Sequence, residues 1–143
     1  FYDTYECKDG KYIAVACIED KFYKEMLDKL EITDEKFSKQ FSKDVWPELK
    51  SKLGEKFLSK NRDEWAMIFQ NSDACITPIL DLDEAPKHEH NKSRSTFIER
   101  DGVVQPNPSP RFSETPLEIK SSPKEIGEDN ILISEKYNIN LQN

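Results

Sequence analysis

Hydrophobic and polar positions in the first part of the chain change between strand-like and helix-like spacing. Apolar runs at residues 2–7 and 12–18 flank an Asp-Gly pair, and together they predict a β-hairpin. The second run is apolar almost throughout, which predicts a strand buried on both faces. A further run at residues 74–80 predicts a third strand, and Pro78 places it at a sheet edge or an irregularity.

Helical spacing of apolar side chains predicts three helices between these strands. They cover residues 20–30, residues 44–57 with Pro47 in the first turn, and a segment that begins at Asn61 and closes at residues 71–72. Asn61 and Glu64 form the sequence pattern of a capping box. The charged, irregular stretch at residues 31–43 predicts a surface loop, and residues 81–94 predict a short helix and turn. Residues 96–105, with Asp101-Gly102 at the turn, predict a second hairpin, and residues 131–137 a last short helix.

The composition changes after Gln105, where five prolines fall within a short stretch. We therefore predict a small α/β domain over residues 1–105 and an extended, proline-rich C-terminal arm over residues 106–143. These prolines are Pro106, Pro108, Pro110, Pro116 and Pro123.

Composition and charge narrow the possible functions. The 143 residues are 36% hydrophobic and 34% charged, which is lean for a compact domain. Since the chain begins inside an apolar stretch at Phe1, we expect it to be a piece of a longer protein. A net charge of −7 disfavours nucleic acid and makes the piece alone a poor site for an anionic cofactor. No apolar run approaches membrane-spanning length, and no secretory signal is present, which predicts a cytoplasmic protein, or a mitochondrial or peroxisomal one in a eukaryote.

The cysteines and histidines do not predict a metal site. Cys7, Cys17 and Cys75 are widely spaced and odd in number, which is typical of reduced thiols in a protein core. His88 and His90 lie in a polar stretch that is helical or loop-like, where their spacing separates the two rings. We interpret them as solvated residues and predict no bound metal.

Glu19 is the candidate functional residue, and the pattern around it leaves two interpretations. It follows an apolar strand and precedes a helix, so it is either an acid favoured by the helix dipole or a functional carboxylate at a strand tip. An ionised carboxylate in either position is able to accept a hydrogen bond from an imidazole and fix its orientation.

Longer stretches of the sequence closely resemble the alpha-methylacyl-CoA racemases, which belong to the family III CoA-transferase group. The resemblance covers residues 1–116 in order and includes "FYDTYECKDGKYIAVACIEDKFYKEML", "RDEWAMIFQNSDACITPIL" and "HNKSRSTFIERDGVVQPNPSPRFSETP". It implies the small α/β domain of a protein whose large domain binds CoA, with two chains interlocked as a homodimer. The substrate would be an acyl-CoA thioester, with no cofactor beyond its CoA group.

The resemblance also implies a role for Glu19. These racemases epimerise 2-methylacyl-CoA by moving the α-proton through an enolate-like intermediate, with a His and an Asp of the large domain as acid and base. A small-domain glutamate, in an Ile-Glu-x-x-Phe-Tyr pattern, orients that His from the other subunit. Ile18, Glu19, Phe22 and Tyr23 match this pattern, whereas the catalytic His and Asp have no counterpart in this chain, so the piece alone should be inactive.

Departures from the racemase pattern leave other interpretations open. Asp20 replaces a usual proline, and Ala16 and Cys17 replace a glycine and a small residue. These changes put the rate and substrate range in question, but not the fold. The alternatives are the small domain of a family III CoA transferase and a stand-alone acidic protein-interaction module.

Overall fold

The computed structural model describes residues 1–140 and confirms a mixed α/β fold. The described residues form two compact units, of which the first is Phe1–Asp81 and the second begins at Leu82. The strands are β1 (Asp3–Glu6), β2 (Tyr12–Val15), β3 (Ile76–Pro78), β4 (Phe97–Arg100) and β5 (Val103–Pro106). The helices are α1 (Asp20–Lys29), α2 (Trp46–Phe57), α3 (Arg62–Phe69), α4 (Glu89–Ser93) and α5 (Asn130–Tyr137), with 3₁₀ turns at Glu35–Lys39 and Ala85–Lys87.

The first unit is built on a three-stranded antiparallel sheet in the order β1-β2-β3. In the central strand β2, Ile13 and Val15 are fully buried, whereas Tyr12 is 44% exposed. The prediction that this strand is buried on both faces is therefore wrong. The strands are antiparallel and α2 and α3 pack against them, so β2 alternates between a covered face and one that this unit leaves open. The strand also ends at Val15 instead of residue 18.

Helices α2 and α3 supply much of the core, as their spacing predicts. Leu49, Leu53 and Phe57 of α2 are buried, and Phe57 meets Trp65 of α3 in an edge-to-face contact with ring centroids 5.4 Å apart. The Trp65 indole N–H donates to the Phe57 carbonyl oxygen at 2.9 Å, which satisfies the polar atom of a buried ring. The capping box of Asn61 is present and confirms the predicted start of α3.

The cysteines divide between core and surface. Cys7 and Cys17 are buried and free, as predicted, and burial raises the pKa of each thiol to about 11. The prediction that Cys75 is a core thiol is wrong, because its side chain is exposed. Its neighbours Ala74 and Ile76 are buried, whereas Cys75 has a positive φ angle of 52° directly before β3, where the backbone is not extended.

The second unit contains the predicted second hairpin. Asp101 and Gly102, which join β4 to β5, both have positive φ angles, 49° and 77°, as the Asp-Gly turn of a two-residue hairpin requires. Residues 107–129 of the described chain contain no helix or strand, and α5 confirms the predicted last helix. The predicted boundary after residue 105 and the role of residues 106–143 as an arm stay predictions, and residues 141–143 lie outside the described residues.

Candidate functional site

The candidate site is the connection from β2 to α1, at whose end Glu19 lies. Beyond Val15, the chain makes one more sheet-like hydrogen bond, from the Ala16 N–H to the Cys75 carbonyl oxygen at 3.0 Å. It then runs to Glu19, the N-cap residue of α1, which has an extended backbone with φ −70° and ψ 140°. The Glu19 carbonyl oxygen accepts hydrogen bonds from the N–H groups of Phe22 and Tyr23 at 3.0 and 2.9 Å. The backbone of Glu19 is thereby fixed to the first turn of α1.

The side chain of Glu19 is exposed and makes no capping hydrogen bond to α1. The first of the two sequence interpretations, an acid placed for the helix, accounts for its position near the positive end of the helix dipole. It leaves the carboxylate oxygens free of the hydrogen bonds to N–H groups that N-cap side chains usually accept. The carboxylate is thus available to a donor from outside this unit.

The negative charge of Glu19 acts on Cys75 across the sheet edge. Loss of hydration raises the pKa of the Cys75 thiol, and the negative charge of Glu19 raises it further. Both effects keep Cys75 protonated at neutral pH, which disfavours it as a nucleophile because the thiolate is the reactive form.

Buried residues beneath the connection hold it against the core. The Cys17 thiol lies 3.4 Å from the Met26 sulfur of α1, and both side chains are fully buried. Tyr23, the last residue of the Ile-Glu-x-x-Phe-Tyr pattern, is also buried and meets the ring of Phe1 edge-on at 5.0 Å. Two matching positions of the pattern are therefore surface residues, Ile18 and Glu19, and Tyr23 packs in the core.

Gln40 is a residue of this site that the sequence did not reveal. Its side-chain amide donates a hydrogen bond to the Ile18 carbonyl oxygen at 2.7 Å, and Cys17 offers its carbonyl oxygen at 3.5 Å. Gln40 is only 5% exposed, although it lies in the polar stretch that we interpret from sequence as a surface loop. No local signal identifies it, because the contact joins positions 22 residues apart.

A groove opens beside the connection, between α1 and a segment that includes the end of the first 3₁₀ turn and the residues after it. It has a volume of about 680 Å³ and is lined by Asp20, Lys24 and Leu27 on one side and by residues 37–42 on the other. Phe41 in its wall is 65% exposed. Gln40 therefore lines this groove and also contacts the connection that carries Glu19.

The histidines lie away from Glu19 in the sequence and form no metal site in the described part of the chain. His88 precedes α4 and is half-buried, whereas His90 lies within α4 and is exposed. No group of three or more His, Cys, Asp or Glu side chains among residues 1–140 is arranged to hold a metal ion. In the same residues, no helix combines the length and the apolar character that crossing a membrane would require.

The comparison with protein families gives the class of protein. The model of CoA-transferase family III matches residues 1–130, so the chain belongs to this family.

Two curated relatives of the chain are alpha-methylacyl-CoA racemases. The chain is 38% identical to alpha-methylacyl-CoA racemase of Mus musculus over 140 residues, which is 96% of this chain and 36% of that protein. It is 40% identical to alpha-methylacyl-CoA racemase of Homo sapiens over 117 residues, which is 81% of this chain and 31% of that protein. The chain thus spans about a third of the length of the curated relatives that it matches.

A solved structure supports the fold. A CaiB/BaiF family protein from Brucella suis superposes with a TM-score of 0.67 at 22% identity, covering 94% of this chain and 37% of that chain. At this level of identity the match concerns the fold alone.

Proposed function

We propose that this chain is the small domain of an acyl-CoA racemase that epimerises 2-methylacyl-CoA thioesters. The observation that carries the proposal is the 38–40% identity to two alpha-methylacyl-CoA racemases. With 96% of the chain inside one of these matches, Glu19 is part of it. The thioester makes the α-proton acidic enough to be removed and returned through an enolate-like intermediate.

In this proposal, Glu19 acts on a residue that this chain does not contain. A His and an Asp of the large domain remove and return the proton on opposite faces, and Glu19 reaches the His of the other subunit in a homodimer. The carboxylate accepts a hydrogen bond from one ring nitrogen, which directs the other nitrogen at the α-carbon and stabilises the protonated ring. The exposed carboxylate without a bond to its own helix supports this role.

The proposal also defines the partners and the requirements of the enzyme. The acyl-CoA thioester is the substrate, and no cofactor is needed beyond its CoA group. The chain alone would be inactive, because the acid and base belong to the large domain. The predicted compartment and a place in lipid metabolism stay predictions.

The test is α-proton exchange in deuterated water, measured by mass spectrometry on the full-length protein that contains this chain. We expect Glu19→Gln to lower the exchange rate about 10- to 100-fold, because the ring loses its orienting carboxylate. The Michaelis constant and the dimer, observed by size-exclusion chromatography, should not change. Glu31→Gln, at an exposed glutamate that follows α1, is the matched control and should leave exchange close to the wild-type rate. An unaltered exchange rate in Glu19→Gln would overturn the role of Glu19.

The description of the family favours one alternative, a CoA transferase. In such an enzyme an aspartate of the large domain takes CoA from the acyl-CoA as a covalent thioester, and the donor acyl group leaves as a free carboxylate. The CoA group then passes from the aspartate to an acceptor carboxylate, which becomes the new acyl-CoA. Incubation of the full-length protein with acyl-CoA and candidate acceptor acids would then give a new acyl-CoA and a covalent CoA adduct by mass spectrometry. A racemase gives neither product but exchanges the α-proton.

A further inference from the structure

We propose that Gln40 is a positioning residue for Glu19, an inference that rests on the proposed function. The side-chain amide of Gln40 donates to the Ile18 carbonyl oxygen at 2.7 Å. That carbonyl belongs to the peptide unit that contains the backbone nitrogen of Glu19. Because a peptide unit is planar, a hydrogen bond that fixes its carbonyl oxygen also fixes the direction in which it enters the Glu19 Cα atom.

The carbonyl groups of Cys17 and Ile18 need a hydrogen-bond donor from outside the sheet. The chain leaves the β2 ladder after Ala16, so neither Cys17 nor Ile18 offers its carbonyl to β3. Cys17 is fully buried and Ile18 is half-exposed, and buried backbone carbonyls are almost always hydrogen-bonded in folded proteins. The amide nitrogen of Gln40 lies 2.7 Å from the Ile18 carbonyl oxygen and 3.5 Å from the Cys17 carbonyl oxygen. It therefore supplies the hydrogen-bond donor that a neighbouring strand would otherwise supply.

The two peptide units on either side of the Glu19 Cα atom are therefore both fixed. Gln40 holds the preceding one, and the N–H groups of Phe22 and Tyr23 hold the carbonyl of the following one. With both planes fixed, the direction of the Cα–Cβ bond is fixed as well. The Glu19 side chain has no capping bond to guide it, so this backbone geometry determines where the carboxylate can reach.

Gln40 itself is held in place. Its own carbonyl oxygen accepts a hydrogen bond from the indole N–H of Trp46 at 2.7 Å. The residue is only 5% exposed, which restricts the rotamers of its side chain. A neutral amide suits the position, because a carboxylate of the same shape would place an oxygen against the oxygen of Ile18.

The first experiment is Gln40→Met in the full-length enzyme, which keeps the length of the side chain and removes the donor. We expect kcat for α-proton exchange to fall about 10-fold or more, since an error of about 1 Å in a catalytic group can cost up to 100-fold. The Michaelis constant for the thioester should stay the same. Gln70→Met, at an exposed glutamine that follows α3, is the control and should retain the wild-type kcat.

A double-mutant cycle with Glu19→Gln distinguishes positioning from general damage. If Gln40 acts through Glu19, then Gln40→Met should lower kcat in the wild-type background and have no further effect in the Glu19→Gln background. An equal loss in both backgrounds, or no loss in the wild type, would overturn the inference while leaving the proposed function intact. If Glu19→Gln alone has no effect, the proposed role of Glu19 fails first, and the inference with it. Should Gln40→Met not assemble, Gln40→Asn keeps a neutral amide that is one methylene too short to reach the Ile18 carbonyl oxygen, and it is measured in the same cycle.

Discussion

Two buried tyrosines in the first unit allow a sharp test of its packing. Tyr5 and Tyr23 are each 5% exposed, and both lie in the same core. The Tyr5 hydroxyl donates to the Phe1 carbonyl oxygen at 2.6 Å, whereas the Tyr23 hydroxyl finds no hydrogen-bond partner among the described residues. The same substitution, tyrosine to phenylalanine, should therefore have opposite effects at the two positions.

The expected changes in the free energy of unfolding depend on whether each hydroxyl replaces its lost hydrogen bonds to water with one inside the protein. A buried hydroxyl without a partner costs about 1–3 kcal/mol, so Tyr23→Phe should raise the free energy of unfolding by about 1 kcal/mol. Tyr5→Phe removes a hydrogen bond and leaves the Phe1 carbonyl without it, so the free energy of unfolding should fall by about 1 kcal/mol. The two variants should differ by about 2 kcal/mol, which is well above the usual error of the measurement.

Urea denaturation of the 143-residue chain is the assay, with the fluorescence of Trp46 and Trp65 as the signal. Both tryptophans lie in the first unit, so the signal reports on the core that contains the tyrosines. A loss of stability in Tyr23→Phe as large as that in Tyr5→Phe would show that the Tyr23 hydroxyl has a partner and would refute the reasoning.

The pH dependence gives a second readout for Tyr23. Burial raises the pKa of its phenol to about 12, with a smaller contribution from Cys17, compared with about 10 in an unfolded chain. The folded state therefore holds the phenol proton more tightly than the unfolded chain does. The contribution of this proton to the free energy of unfolding is complete below about pH 10 and is lost as the pH rises towards 12. Tyr23→Phe should reduce the fall in stability over that window, and an undiminished fall would contradict the assignment.

Two further substitutions test the helices of the first unit by the same assay. Leu53→Ala, at a fully buried position of α2, should lower the free energy of unfolding by about 2–5 kcal/mol. Leu58→Ala, at a half-exposed position, should change it by less than about 1 kcal/mol. Similar losses in the two variants would contradict the burial of Leu53 in the core. Asn61→Ala should cost about 1 kcal/mol by removing the capping box of α3, and no loss would show that the cap contributes nothing.

The sequence predicted those elements whose signals are local. The stripe of Leu49, Leu53 and Phe57 predicted α2 because residues three to four apart share one face of a helix. Asn61 and Glu64 predicted the start of α3 because both halves of a capping box lie within one turn. The Asp101-Gly102 pair predicted the second hairpin because few residues other than glycine, asparagine and aspartate readily adopt its positive φ angles.

The errors arose where burial depends on distant parts of the chain. The apolar run of β2 is consistent with a sheet that is covered on one face or on both. The residue types alone do not show how many layers pack against the sheet. Tyr12 is largely apolar, yet it lies on the outer side of an alternation whose inner side is fixed by Ile13, and Cys75 is exposed where a positive φ angle of 52° precedes β3. The pairing register of the strands decides which residues face the core, and this register becomes known only from the fold.

The different proposed roles of Glu19 and Gln40 explain why Glu19 was identified from the sequence and Gln40 was not. In the proposed function, Glu19 must meet a ring from another subunit, so contacts of its carboxylate within its own unit would compete with that task. Its precision then has to come from its backbone, and the polar side chain that fixes this backbone is buried and distant in sequence. Glu19 follows an apolar run and invites attention, whereas Gln40 lies between Lys39 and Phe41 in a stretch typical of a surface loop. The polar residue best protected from solvent near the candidate site is therefore the one that composition and spacing place at the surface.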